Sequence, residues 1–194
     1  MRIVTGTLRG RQIPFNPRRF GNARVTSGKL KEALFSALGG MLEGESFLDL
    51  CAGSGQIALE AYSRGARITA VEPDQRRLLL LRKLVAEWDI EDAELLGVKA
   101  QTLIPQFQRQ SRRFDTIYLD PPYDAQLSSR PLAIALIELI GNSDLLNDGG
   151  LLAVQHFKGL QLPQEQGCLR AVRQRPYGDT VLTQYSTLTQ HTES

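Results

Sequence analysis

Short apolar runs bounded by glycine, proline and aspartate alternate along the chain with longer stretches in which apolar residues recur every three or four positions. Leu30, Ala33, Leu34, Ala37 and Leu38 follow the second pattern behind two good caps, Thr26 and Ser27, and predict a helix stopped by Gly39-Gly40. Phe47–Cys51 then reads as a buried strand, Ala52-Gly53-Ser54-Gly55 as a tight loop, and Gln56–Arg64 as a helix closed by Gly65. Ile68–Glu72 is a second strand, and Pro73-Asp74 opens a helix reaching Trp88. A strand near Ala93–Val98, a helix near Thr102–Gln110 and the strand Phe114–Leu119 follow. A helix over Pro131–Ile140, a strand over Gly149–Phe157 and strands near Leu169–Arg175 and Thr180–Leu188 complete the series. Strands alternating with helices of ten or more residues imply a parallel sheet covered on both faces. The last two strands are too close for a crossover, so they pair antiparallel around Pro176-Tyr177-Gly178-Asp179. Ahead of this body, Arg2-Ile3-Val4 and Arg11-Gln12-Ile13 flank Gly6 and Gly10 and predict a small hairpin. Ser128-Ser129 and Thr189–Ser194 read as flexible points.

Composition adds little until it is resolved along the chain. At 194 residues, 42% hydrophobic and 23% charged, this is an ordinary globular composition with no apolar run long enough for a membrane helix. The N-terminus lacks a signal-like apolar core, and Cys51 and Cys168 with two histidines make no zinc set of usual spacing. These features predict a cytoplasmic protein without metal, and nothing in them demands more than a monomer. The net charge of +2 is unevenly distributed. Residues 1–31 carry Arg2, Arg9, Arg11, Arg18, Arg19, Arg24, Lys29 and Lys31 with no Asp or Glu, and the remaining 163 carry 15 basic against 21 acidic side chains. A cationic leading segment on an acidic body suits a polyanionic partner. The division expected is a basic extension over residues 1–40 and a body over 41–194.

The chemistry concentrates at strand ends. Gly53 and Gly55, one residue apart, let the backbone turn sharply and approach a ligand, and the helix that follows offers free N–H groups. With Ala58 the run also satisfies the dinucleotide pattern, and Glu72 closes the next strand where a carboxylate can accept from both ribose hydroxyls. Loop and acid together imply a nucleoside-type cofactor without distinguishing NAD from S-adenosylmethionine. Asp120-Pro121-Pro122-Tyr123 distinguishes them. It ends the fourth strand, on the rim expected to carry the glycine loop, and its two prolines remove donors and stiffen the chain. A carboxylate, a fixed carbonyl and an adjacent ring form a receptor for an aromatic primary amine, with two acceptors for two N–H groups and a stacking face. Such a clamp directs the amine lone pair toward an electrophilic methyl. Nothing near it offers the acid/base group of a hydride-transfer enzyme.

Asp49-x-x-x-Gly53-Ser54-Gly55, Glu72 and Asp120–Tyr123, in this order, resemble class I S-adenosylmethionine-dependent amino-methyltransferases. Met1–Val4 with Leu8–Arg11, Arg24–Thr26 with Lys31–Phe35, Leu48–Gly55, Phe114–Tyr123 and Tyr177–Thr180 resemble, more narrowly, bacterial small-subunit ribosomal RNA guanine-N2 methyltransferases. The resemblance implies a Rossmann-like, doubly wound, seven-stranded sheet, mostly parallel, with a C-terminal antiparallel hairpin. It implies that Asp49, Cys51, Ala52, Gly53, Ser54 and Gly55 line the methionine end of S-adenosylmethionine, and that Glu72 with Pro73 holds its ribose. Asp120, Pro121, Pro122 and Tyr123 would hold the target base, and the eight cationic residues of 1–31 would grip ribosomal RNA or a partly assembled particle.

The chain departs from the family at three places. Val25 replaces a proline before the first helix, with Gly28 near its usual acid; Lys83-Leu84 stands where an asparagine is common; and Lys99-Ala100 stands where an acid usually meets the adenine. An adenine-N6 or protein-amide methyltransferase could use the same clamp, and an idle RNA-binding assembly factor could keep the same fold. Against these, 194 residues leave no room for a DNA-reading domain, and the basic arm has the wrong sign for most peptides.

Overall fold

The computed structural model describes residues 1–16, 20 and 26–187. They form two compact units, Met1–Ala100 and Gln101–Ser194. Arg18, Arg19, Arg24 and Val25 lie outside the described residues, as does Thr189–Ser194.

The first unit is built on three parallel strands, β1 (Ser46–Asp49), β2 (Arg67–Val71) and β3 (Ala93–Leu96), with β2 between the other two. Helix α1 (Gly28–Ala37) precedes them, α2 (Gln56–Ser63) joins β1 to β2, and α3 (Gln75–Glu87) joins β2 to β3. Each helix starts where its capping residue dictates. Ser27 Oγ accepts the Leu30 amide, and the Asp74 carboxylate accepts the amides of Arg76 and Arg77. Gly55 precedes α2 at φ +77°, a left-handed conformation that favours glycine, and a Leu81 methyl packs into the space a Cβ would take. The core consists of the strand residues Phe47, Leu48, Ile68, Ala70 and Val71 with Leu59, Leu78, Leu81 and Leu84 from the helices.

The N-terminal residues belong to this unit. In place of a full hairpin there is one bridge, Arg2 to Gln12, flanked by Ile3–Arg11 and Ile13–Met1 hydrogen bonds. The segment is held mainly by α2. Gly6 (φ +84°) lies so close to the Ser63 carbonyl that no Cβ fits, and Ser63 also accepts the amides of Thr7 and Leu8. Tertiary anchoring here replaces the strand ladder that the sequence suggested.

The second unit comprises α4 (Ala100–Arg109), β4 (Phe114–Leu119), the short pair β5 (Gln126–Leu127) and β6 (Arg130–Pro131), α5 (Leu132–Gly141), β7 (Leu146–Phe157), β8 (Glu165–Gln166), β9 (Leu169–Tyr177) and β10 (Thr180–Thr187). Its main sheet runs β4-β7-β10-β9-β8. β7 is parallel to β4, and β10 lies antiparallel between β7 and β9. The mostly parallel α/β sheet with a terminal antiparallel hairpin is therefore present. Among the described residues, three strands of the first unit and four of the second make up the seven expected, and the two-residue β8 adds to the edge of β9. The expectation of flexibility at Ser128-Ser129 meets a defined turn: both residues adopt left-handed φ, +50° and +63°, between β5 and β6, the geometry that matches strand twist in a two-residue hairpin. No helix among the described residues is long and apolar enough to cross a membrane.

Candidate active site

In the first unit, the turn after β1 is fixed by buried carboxylates. Glu72, just past the end of β2, accepts the Gly53 amide at 2.8 Å through Oε2 and the Asp74 amide at 2.8 Å through Oε1, with Arg77 Nη1 3.7 Å away. The acid expected at a ribose thus also ties the glycine loop to the start of α3. Burial pushes its pKa upward against the pull of those amides and Arg77. Asp49, at the end of β1, accepts the Cys51 amide at 3.2 Å, and burial, with Glu72 adding repulsion, pushes its pKa up to about 7. The loop closes on itself through Gly55 N–H to the Ala52 carbonyl at 2.7 Å, and Ala52 donates to Val71 at the end of β2. Ala52, Ser54 and Gly55 are buried, Cys51 and Gly53 half-buried, and Pro73 exposed.

Sequence reasoning passed over Gln56, the first residue of α2. It is buried, its Nε2 donates to the Thr26 carbonyl at 3.2 Å, and its Oε1 is buried with no hydrogen-bond partner. Because Nε2 must be the atom facing a carbonyl, the orphan is the acceptor.

The cationic residues separate into two groups. Arg2, Arg9, Arg11 and Lys29 are exposed, and the Arg11 guanidinium lies 5.6 Å from the centre of the Trp88 ring. Lys31 does not belong with them. It is only 2% exposed, and its Nζ donates to Glu60 at 2.7 Å and to the Arg2 carbonyl at 2.8 Å. Glu60, fully buried, also accepts from Arg64 and from the amides of Val4 and Thr5. A phosphate cannot reach this ammonium; Lys31 anchors the N-terminal segment. A helical period shows an amphipathic face but not which cation finds a buried acid 29 residues away.

In the second unit, the turn after β4 is built differently. Asp120 is half-buried, Pro121 buried, Pro122 exposed and Tyr123 half-buried. The Ala125 amide returns to the Pro122 carbonyl at 3.1 Å, folding the run into a turn. Tyr123 is held at both ends: its hydroxyl meets Thr180 Oγ1 at 3.1 Å, and its ring lies 5.9 Å from that of Phe157 at a 43° tilt. Thr180 belongs to the stretch that marked the resemblance, but only the fold supplies its partner. A cavity of about 210 Å³ opens here, walled by Pro121, Pro122, Tyr123, Leu132, Phe157 and Leu160. Among the lining residues, His156 is buried and its pKa is pushed down by desolvation. Its Nδ1 lies 3.0 Å from the Phe157 carbonyl, which can only accept, so Nδ1 carries the proton and Nε2 accepts from Thr183 at 2.8 Å.

Residues 1–186 match the family described as conserved hypothetical protein 95. The chain belongs to this family. It is 28% identical over 187 residues to the putative rRNA methyltransferase YlbH of Bacillus subtilis, covering 95% of this chain and 98% of that one. It is 30% identical over 156 residues to the ribosomal RNA small subunit methyltransferase D of Escherichia coli, covering 80% and 74%. The solved structure of the putative methyltransferase yhhF from Escherichia coli superposes with a TM-score of 0.80 at 26% identity, over 98% of this chain and 99% of that one. The chain is a methyltransferase, and fold and family together make S-adenosylmethionine its cofactor.

The corner after β1 suits that cofactor. Two buried carboxylates with raised pKa values favour a ligand whose sulfonium and ammonium groups bring positive charge, and the orphan Gln56 acceptor calls for a donor. At Gly55 the space a Cβ would take is filled by a Leu81 methyl, so the glycine lets the bend pack against α3.

Proposed function

We propose that this protein methylates the exocyclic N2 amine of a guanine in small-subunit ribosomal RNA. The cofactor supplies the methyl group on a sulfonium, already electrophilic and in need of no metal. Asp49, Gly53 and Gly55 hold its methionine end, with Cys51, Ala52 and Ser54 completing the loop and Gln56 Oε1 accepting from its ammonium. Glu72 and Pro73 border the ribose, the carboxylate using the lone pairs left over from Gly53 and Asp74.

The remaining work falls to the chain's own groups. Asp120 and the Pro121 carbonyl accept the two N–H bonds of the target amine, and Tyr123 stacks on the ring. The base is first unstacked from its strand, as chemistry on a base edge requires. Exposed Arg2, Arg9, Arg11 and Lys29 neutralise backbone phosphates. Rate enhancement is then mainly positioning and charge placement. Residues 1–40 form the RNA-binding extension and 41–194 the catalytic body of a cytoplasmic monomer.

The observation that carries this reading is the turn after β4. A ring pinned through its hydroxyl, beside two prolines with no N–H to offer, presents a flat face next to carboxylate and carbonyl acceptors, the groups an aromatic amine needs. The Escherichia coli relative named for small-subunit ribosomal RNA supports the choice of substrate. The test is transfer of labelled methyl from S-adenosylmethionine to small-subunit ribosomal RNA and to partly assembled particles, followed by mass spectrometry of nucleosides. N2-methylguanosine is expected; N6-methyladenosine, or no label, overturns the assignment. Asp120→Ala should lower transfer about a hundred-fold or more while leaving S-adenosylhomocysteine affinity within about two-fold.

A further inference from the structure

Phe157 closes β7 as an aromatic side chain 47% exposed, next to the pinned Tyr123 ring. A single exposed phenylalanine is common on protein surfaces and by itself means little. Here two features hold the ring in place, and a third puts it at the site. The Phe157 carbonyl accepts both the Leu160 amide at 2.9 Å and His156 Nδ1 at 3.0 Å, which locks the turn Phe157–Leu160. Gly159 leaves the ring its space, since a Cβ there would lie 2.7 Å from Phe157 Cε1. The ring also walls the cavity that Pro121, Pro122 and Tyr123 border.

The spacing decides what such a pair of rings can hold. Sandwiching a base between parallel rings needs two carbon contact distances, about 7 Å between centres. The centroids are 5.9 Å apart and tilted by 43°, so nothing inserts between them. They form two adjoining faces of one wall. The cavity, about 210 Å³, is smaller than the roughly 300–1,000 Å³ of sites for drug-sized ligands, so it takes one flat ring and not two.

The charge around Phe157 indicates what lies on its outer face. Strand register puts Phe157, Thr180 and Tyr177 in one row across the sheet, and Gln155, Leu182 and Arg175 in the next row on the same face. Arg173 follows two residues further along β9 on that face, and Lys158 sits in the turn itself. Arg173, Arg175 and Lys158 are all exposed, with Asp179 the exposed acid in the adjoining turn. An aromatic face flanked by cations is the usual receptor for single-stranded nucleic acid, the ring taking a base and the cations the phosphates.

We propose that Phe157, with Lys158, Arg175 and Arg173, binds the nucleotide next to the target base, so that two successive bases rest on Tyr123 and Phe157. This rests on Tyr123 receiving the target base, and it adds a second RNA contact, in the C-terminal unit, to the cationic N-terminal segment. The test is direct binding, by fluorescence anisotropy, of a short single-stranded RNA containing the methylated site to wild type, Phe157→Ala and Phe157→Trp. The alanine variant should bind about 5- to 140-fold more weakly, the worth of one stacked base, and its KM for RNA should rise in step. Phe157→Trp should restore binding, and calorimetric affinity for S-adenosylhomocysteine should be the same in all three. Equal RNA affinity in wild type and Phe157→Ala, or a tryptophan variant as weak as the alanine one, overturns the proposal. A defect confined to the assembled particle also overturns it, because the face would then meet a ribosomal protein. Binding is read without turnover, so a wild type that binds RNA but transfers no methyl rejects the enzymatic assignment and leaves this measurement standing.

Discussion

The turns after β1 and β4 each follow a strand of their own unit, yet they are held by opposite means. The turn after β1 is held by charge: Glu72 grips two amides, Asp49 a third, and both acids are buried at the cost of raised pKa values. The turn after β4 is held by covalent stiffness and a ring, with Pro121 and Pro122 limiting the backbone and Thr180 and Phe157 fixing Tyr123. The contrast matches what each would hold. On the proposed reading a charged, flexible cofactor would be met by fixed opposite charge, and a neutral flat base by a rigid wall of prolines and rings beside Asp120. Loss of a charge should therefore disturb the first unit far more than loss of a contact disturbs the second.

The strongest test of that asymmetry is Glu60→Ala. It leaves Lys31 and Arg64 buried without their counter-ion and frees the amides of Val4 and Thr5, so urea unfolding should show a loss of about 3–5 kcal/mol. Asp49→Asn probes a second buried acid. The native carboxyl titrates near 7 against 3.8 for an ordinary Asp, so the folded state takes up a proton that the unfolded chain does not. Wild-type stability should therefore fall as pH rises from about 4 to 7, by as much as about 4 kcal/mol. The asparagine variant, which keeps an oxygen for the Cys51 amide, should lose Asp49's share of that slope when melting temperature is followed across this range, leaving the part that Glu72 contributes. A parallel pH dependence in both proteins would deny that burial of Asp49 carries the charge cost. The smallest effect is expected at the rigid turn: Thr180→Val removes only the hydroxyl partner of Tyr123, worth about 1 kcal/mol. Its chemical melt should be nearly that of wild type, and the defect should appear as a higher KM for RNA.

Much of this was legible locally. The apolar runs at Phe47–Leu50, Ile68–Val71 and Phe114–Leu119 became strands, and Ser27 and Asp74 became caps, because strand burial and capping depend on residues a few positions apart. The glycine bend and the Asp120–Tyr123 turn were readable for the same reason, since positive φ and proline stiffness are properties of the residues themselves. The role of Lys31 is not legible locally, because eight cations without an acid look alike until one of them is buried against Glu60.

The sequence alone determined the order of the longer strands and helices from β1 onward, the sharp bend at Gly55 and the donor-poor corner at Pro121-Pro122, all consequences of short-range sterics and periodicity. Only the tertiary structure decided that Lys31 is an anchor, that Gln56 keeps an unmatched acceptor, and that Tyr123 is pinned by Thr180 with Phe157 beside it. These pairings join residues 29 to 57 positions apart. No local preference encodes such partners; they meet because the packing of strands and helices leaves those side chains next to one another.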